Sequence, residues 1–260
     1  MKTRSGVGCD GTLDGDFAVC LAKCLGADKR HLHELPPEAA RLSRAGGIVL
    51  AQDAVYTPPM TEPARVRATT ADFLAAVASG RVVELIDGEI VERASPRPEH
   101  GAAQAKLAEH TGPFHRQAGG PRGPGGWWIM TEVEVSYPQT GEVFRHDAVG
   151  FRRDRHPNRP TSFPIDVRPD WVAEILSTSN ARTDLVKKLR TLHLHGVPHY
   201  WILDPAHETL LVFRHGPEAY LDVLNAGRED IVRAEPFDAV EIDVGEMFGH
   251  EREAAAPPTS

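Results

Sequence analysis

Four side chains in this chain have types and positions suited to work on a phosphodiester: Asp147, Glu174, Lys188 and Glu99. Glu174 poses the first question, because it stands inside the apolar run Trp171-Val172-Ala173-Glu174-Ile175-Leu176. A short run of this kind, followed by Ser-Thr-Ser-Asn, is the pattern of a buried strand leading into a helix cap. An ionised carboxylate there is costly unless a cation or hydrogen bonds compensate it. Asp147 falls in another strand, "VFRHDAVGF". Two carboxylates on adjacent strands form an oxygen-lined site for Mg²⁺, with Mn²⁺ as a substitute, and the ion is then the charge that Glu174 wants. Such an ion polarises a phosphate and lowers the pKa of its water, while a nearby ammonium orients that water or neutralises developing charge. Lys188, on the helix after the Glu174 strand, supplies the ammonium. Glu99, near the start of an earlier Ala-rich helix, assists through water.

Each residue also has a plainer role to weigh. Glu174 can sit on a partly exposed strand with only its stem buried, and Asp147 can pair with Arg145 or Arg152. Lys188 has Asp184 four residues before it, a surface helix pair, and Lys187 competes for the inward position. Ser177, Ser179 and Asn180 read as helix caps rather than nucleophiles. Glu84 and Asp87 read as hairpin chemistry, and His100 as a surface residue or a phosphate contact. His193 and His195, two apart on a helix, splay across different faces and are poor partners for one zinc ion. Trp127 and Trp128 stack on bases or, by default, pack in the core.

The elements that must position these groups are legible from Met60 onward. Thr69-Thr70 cap a short helix that ends at Gly80. "VVELIDGEIVER" (82–93) places two apolar runs around Asp87-Gly88, the strongest short hairpin signal. An Ala-rich helix follows Ser95 and its prolines. The loop "GGPRGPGG" (119–126) lacks the Lys-Ser/Thr ending of a phosphate-binding P-loop. Strands are expected at 127–137, 143–151, 171–176, 199–205, 209–215, 220–224 and 237–244, and a helix at 182–195. In that helix Leu185, Leu189 and Leu192 make a buried stripe and Gly196 makes the stop. Mixed strands around two or three helices predict an α/β or α+β domain with a central sheet.

Residues 1–59 read differently. They are Gly-rich, lack a long period, and balance seven basic against seven acidic residues, so the net charge of −8 belongs to 60–260. This stretch is expected to be a poorly ordered extension, or the product of an upstream start-site misassignment. A domain at 60–248 and a disordered tail at 249–260 complete the division. The acidic balance argues against a broad basic surface, although 145–159 carries five arginines against two aspartates, as either a phosphate-facing stripe or a solvated face. The three cysteines, Cys9, Cys20 and Cys24, all lie near the start, which excludes a disulfide scaffold for the core and fits a reducing, cytoplasmic setting. "FAVCLAKCLGA" is broken by Lys23 and preceded by acids, unlike an export signal, and no apolar stretch is long enough to span a bilayer.

Three segments carry a family resemblance: "VVELIDGEIVERASPRPEHG", "FRHDAVGF" and "DWVAEILSTSNARTDLVKKLRTLHLHGVPHYWILDP". Over about 60–248 the chain resembles the Uma family, small bacterial proteins of the PD-(D/E)XK nuclease superfamily classed as restriction-type endonucleases. The resemblance implies a restriction-endonuclease-like core with a mixed sheet flanked by helices and extra C-terminal antiparallel strands. It implies Asp147 and Glu174 as metal ligands and favours Lys188 over Lys187 as the assisting lysine. It also implies DNA as substrate and pairing of two copies to cut both strands. Two departures stand out: His146 replaces the usual proline before Asp147, and Leu176 occupies the place where the superfamily lysine normally falls. The competing function is a nuclease fold kept as a nucleic-acid- or protein-binding module without turnover.

Overall fold

The computed structural model describes residues 66–118, 124–177 and 181–250. The extension 1–59, the tail from 251, and Ser179 and Asn180 of the expected cap lie outside them. The chain order is α1 (Thr70–Ala78), β1 (Val83–Ile86), β2 (Glu89–Glu92), α2 (Pro98–Thr111), β3 (Trp127–Tyr137), β4 (Glu142–Arg152), β5 (Trp171–Ile175), α3 (Ala181–Leu194), β6 (His199–Asp204), β7 (Thr209–His215), β8 (Tyr220–Gly227), β9 (Ile231–Val232), β10 (Ile242–Asp243) and α4 (Val244–Met247). No helix of the described residues is long and apolar enough to cross a membrane.

Local sequence accounts for the first elements. Thr69 caps α1 through a capping box with Asp72, so two of the end amides that have no intrahelical partner are satisfied reciprocally. Phe73 and Ala76 of this helix pack on Val83, Leu85 and Val143. Thr69→Ala is expected to cost about 1 kcal/mol, read as a lower urea midpoint with an unchanged slope. The β1–β2 turn needs two consecutive residues at positive φ. Asp87 (φ 52°) and Gly88 (φ 76°) supply them in a tight antiparallel hairpin.

One mixed sheet forms the centre, in the order β2-β1-β4-β5-β6-β7-β8, with β3 also paired to β4. The β5–β6 pair is parallel, which requires a crossover, and α3 provides it. Leu185, Leu189 and Leu192 of α3 are buried, and Gly196 at φ 67° ends the turn after it. A row running across the sheet through Ala148, Ala173, Trp201 and Val212 faces α2, whose Ala103 and Leu107 join the same core. Along β5, Val172 and Glu174 alternate to the other side, where Lys188 of α3 meets Glu174.

The alternating stretch 237–244 departs from expectation. Only Ile242–Asp243 is extended, in a two-stranded sheet with β9. Phe237 instead inserts among Phe114, Trp127, Trp171 and Trp201, with ring centroids 4.6–5.6 Å apart. Burying that ring among four others outweighs the weak preference of its neighbours for a strand.

Topology opens the sheet at one place. β3 follows β4 along its length, from Trp127↔Arg152 to Tyr137↔Glu142. A strand has two edges, so β1, paired at Val143, and β5, paired at Ala148–Gly150, must divide the other. Residues 144–147 of β4 therefore lie in the fork between β1 and β5.

Candidate active site

Side chains satisfy the backbone groups exposed in this fork. The Arg145 N–H donates to Glu84 Oε1 at 2.8 Å, and the Ile175 N–H donates to Asp147 Oδ2 at 2.7 Å. A buried amide without a partner is costly, so the open ladder itself demands acceptors here. On the β3 edge the register also skips one position: Thr131↔Ala148 and Val133↔His146 are paired, while Glu132, opposite Asp147, sits at φ 54°. That left-handed conformation is costly for a residue with a Cβ and is characteristic of functional sites.

Two groups of charges meet at the fork. The first surrounds Asp147, which is 1% exposed. Arg93 Nη2 donates to Asp147 Oδ1 at 2.7 Å, and Arg93 also donates to the Arg145 carbonyl. Gln104 Nε2 bridges Glu132 Oε1 at 2.8 Å and the Asp147 carbonyl at 3.0 Å. Arg145 binds Glu132 through Nε and Glu134 through Nη1, both at 2.8 Å. His100, 6% exposed, brings Nε2 to 3.4 Å from Asp147 Oδ1, an ion-pair distance, and among the described residues neither ring nitrogen makes a hydrogen bond of good geometry. His100, Glu132 and Asp147 present ligand atoms all within 4.8 Å of one another.

The second group surrounds Glu174, 7% exposed. Lys188 Nζ lies 3.2 Å from both Glu174 oxygens and 2.8 Å from Glu84 Oε1. His146 Nδ1 approaches Glu174 Oε1 at 2.5 Å, and its Nε2 meets the Tyr137 hydroxyl at 2.7 Å.

The electrostatics follow from these contacts. Burial pushes the Asp147 carboxyl up, but His100, Arg93 and the Ile175 amide more than reverse this and hold it well below the usual carboxylate range. Burial likewise raises Glu174, and Lys188 and His146 bring it net below its ordinary value. Burial opposes the charge on Lys188, but Glu174 and Glu84 hold it protonated, well above the ordinary lysine value. The approach to Asp147 raises His100.

Several expectations change against this geometry. Beside Glu174 the strand pattern assigned a metal; the structure places the Lys188 ammonium there, 3.2 Å from both carboxylate oxygens. Lys188 is buried rather than on a surface helix pair, while Lys187 is exposed and lies 3.8 Å from Asp87. Asp147 pairs with Arg93, not with Arg145 or Arg152, because those two arginines are engaged by Glu132, Glu134 and Asp154. Glu84 belongs to the fork and not to the hairpin turn, and His100 is interior and not superficial. Glu99 is exposed on the first turn of α2 and makes no hydrogen bond or ion pair with either group among the described residues. Ser177 is exposed. His193 stacks on His215, whereas His195 lies edge-on to Tyr137. Trp127 is in the core, and the Arg153 guanidinium lies 3.4 Å over the Trp128 ring.

Arg93, His100, Gln104, Glu132 and His146 complete the fork; sequence reasoning weighed His100 as a phosphate contact and noted His146 as the residue in place of a proline, but assigned no role to Arg93, Gln104 or Glu132. Glu132 carried the weakest signal, since "TEVEV" reads as an ordinary strand with one solvated face.

No curated protein matches the chain. Among solved structures it is similar to the crystal structure of a "putative nuclease belonging to DUF820" from Anabaena variabilis, with 21% identity and a TM-score of 0.56, covering 69% of this chain and 97% of that one. At this identity the likeness speaks for the fold alone, here a mixed sheet flanked by helices. The model of the Uma2 family, described as "Putative restriction endonuclease", matches residues 70–245, and the chain belongs to that family.

Proposed function

We propose that this protein is a metal-dependent endonuclease that hydrolyses DNA phosphodiester bonds at the β1–β4–β5 fork. The observation that carries this reading is Asp147: it lies where both ladders open, is kept ionised in the interior, and faces the buried His100 ring at 3.4 Å. In this reading Asp147 is the principal ligand of a divalent ion, Mg²⁺ or Mn²⁺, with Glu174 as the second carboxylate; His100 and Glu132, whose ligand atoms lie within 4.8 Å of that of Asp147, give the donor set its fit. When bound, such an ion supplies charge neutralisation at the phosphate and an acidified water. Lys188 is held in its charged form by two glutamates, so it is not a proton acceptor. Its part is a fixed positive charge that stabilises negative charge developing on the phosphate and positions the attacking water. His146 and Lys188 together orient the Glu174 carboxylate. Glu99 has no direct role in this reading. Pairing of two copies, for cutting both strands, and a cytoplasmic location belong to the same proposal.

One observation favours a second reading. Both Glu174 oxygens are engaged by Lys188, as in a nuclease fold that binds nucleic acid without cutting it. Supercoiled plasmid, linear duplex, branched and single-stranded DNA incubated with Mg²⁺ or Mn²⁺ separate the two. The nuclease reading expects nicking that EDTA abolishes and that Asp147→Asn and Glu174→Gln remove. Salt-sensitive binding with no cleavage of any form in either metal sinks it in favour of the binding module.

A further inference from the structure

We infer that His100, Glu132 and Asp147 form a mixed nitrogen–oxygen site that selects a first-row transition-metal dication over Mg²⁺. This shares Asp147 with the proposed nuclease site, and so deepens that reading by naming the class of ion.

Three independent features point to a ligand here. The ligand atoms of the three side chains lie within 4.8 Å of one another, the separation expected of groups that share one ion. His100 is almost wholly buried, with Nε2 aimed at Asp147 Oδ1 at 3.4 Å, and among the described residues neither ring nitrogen makes a hydrogen bond of good geometry. A buried imidazole whose nearest acceptor, Asp147 Oδ1, stands at 3.4 Å calls for an explanation, and an ion between the two supplies one. Glu132 adopts a positive φ in the middle of a long strand, at the single register position opposite Asp147, so backbone strain coincides with the same cluster.

The neighbouring contacts orient these ligands and do not use them up. Asp147 accepts from Arg93 on one oxygen and from the Ile175 amide on the other. Glu132 accepts from Gln104 on one oxygen and from Arg145 on the other. A carboxylate offers about four acceptor positions, so each oxygen keeps one for an ion. Outer hydrogen bonds of this kind fix ligand geometry at metal sites. The donor chemistry then sets the preference. Mg²⁺ takes oxygen ligands and surrenders its waters reluctantly, whereas an imidazole nitrogen suits the transition dications.

The experiment uses the full chain, stripped with EDTA, in the absence of nucleic acid. Calorimetric titration with MnCl₂ and separately with MgCl₂ gives affinities, and loss of the free Mn²⁺ paramagnetic resonance signal gives stoichiometry. One Mn²⁺ per chain is expected, bound at least ~10-fold more tightly than Mg²⁺. His100→Gln is expected to weaken Mn²⁺ by about 10–100-fold and to leave Mg²⁺ within about threefold. Circular dichroism checks that the variant folds; should it not, Glu132→Gln provides the same test, with a loss of Mn²⁺ affinity expected. Equal affinity for the two ions, absence of binding, or Mn²⁺ affinity unchanged in the folded variants overturns the inference. Binding that depends on His100 in a protein that cuts no DNA upholds it while defeating the nuclease reading. EDTA-sensitive cleavage with binding indifferent to His100 does the reverse.

Discussion

Lys188→Met is expected to destabilise the protein by about 3–5 kcal/mol, the scale of removing one partner from a buried ion pair. The loss follows from what is left behind. Glu174 and Glu84 are both nearly inaccessible, and Lys188 is the cation that touches both. Without it, two carboxylates remain in the interior, with His146 against one and the Arg145 amide against the other. Urea unfolding followed by tryptophan fluorescence measures the effect. The double variant Lys188→Met/Glu174→Gln is expected to lose less than the sum of the single variants by about 1–3 kcal/mol, because neutralising Glu174 removes much of the need for a cation. Additivity within about 0.5 kcal/mol would mean that the pair is not coupled. The pH dependence has a definite sign. Glu174 is depressed in the folded protein, so its contribution is present above its unfolded value near 4.5 and fades as pH falls through the folded value. The deficit of Lys188→Met therefore narrows in acid, where protonation removes the charge that lysine would have balanced.

On the proposed nuclease reading, Asp147→Asn is expected to lower the rate of DNA cleavage by about 10³-fold, the scale of losing a group that stabilises charge in the transition state. The substitution keeps the shape and the acceptor for the Ile175 amide but withdraws the negative charge that faces Arg93 and His100. Nicking rates measured on protein shown to be folded separate this loss from unfolding, and a variant that retains more than about a tenth of the wild-type rate would remove Asp147 from the chemistry. Stability offers a second readout. The Asp147 carboxyl is depressed, so it contributes stability above its unfolded value near 3.8 that is lost as pH falls towards the folded value. His100 is raised and works the other way: its contribution is complete below an unfolded value near 6.5 and is lost as pH rises through the folded value. Asp147→Asn should thus flatten the acid limb of the stability curve and weaken the step attributable to His100.

Periodicity and turn chemistry are local properties, which is why much of the architecture could be read directly from the residues. Asp87-Gly88 specifies its hairpin because two positive φ values are required there, and the stripe of Leu185, Leu189 and Leu192 specifies which side of α3 is inward. Phe237 escaped that reading, because the rings that receive it come from the segment after α2 and from β3, β5 and β6, far apart in the chain. Glu84 was misread for a similar reason: its hairpin is local, but the lysine it holds is more than a hundred residues away.

By itself the sequence determined most of the strand, helix and turn elements (though not the fate of 237–244), the anomaly of an acid inside an apolar strand, and the two lysines that compete to answer it. Only the tertiary structure decided that Lys188 is the inward one, that it compensates Glu174, and that Asp147 keeps company with Arg93, His100 and Glu132. The reason is physical. Hydrophobic period sets which face of an element is buried, whereas the partner of a buried charge depends on where β1, β4 and β5 diverge, and that divergence is a property of the assembled sheet.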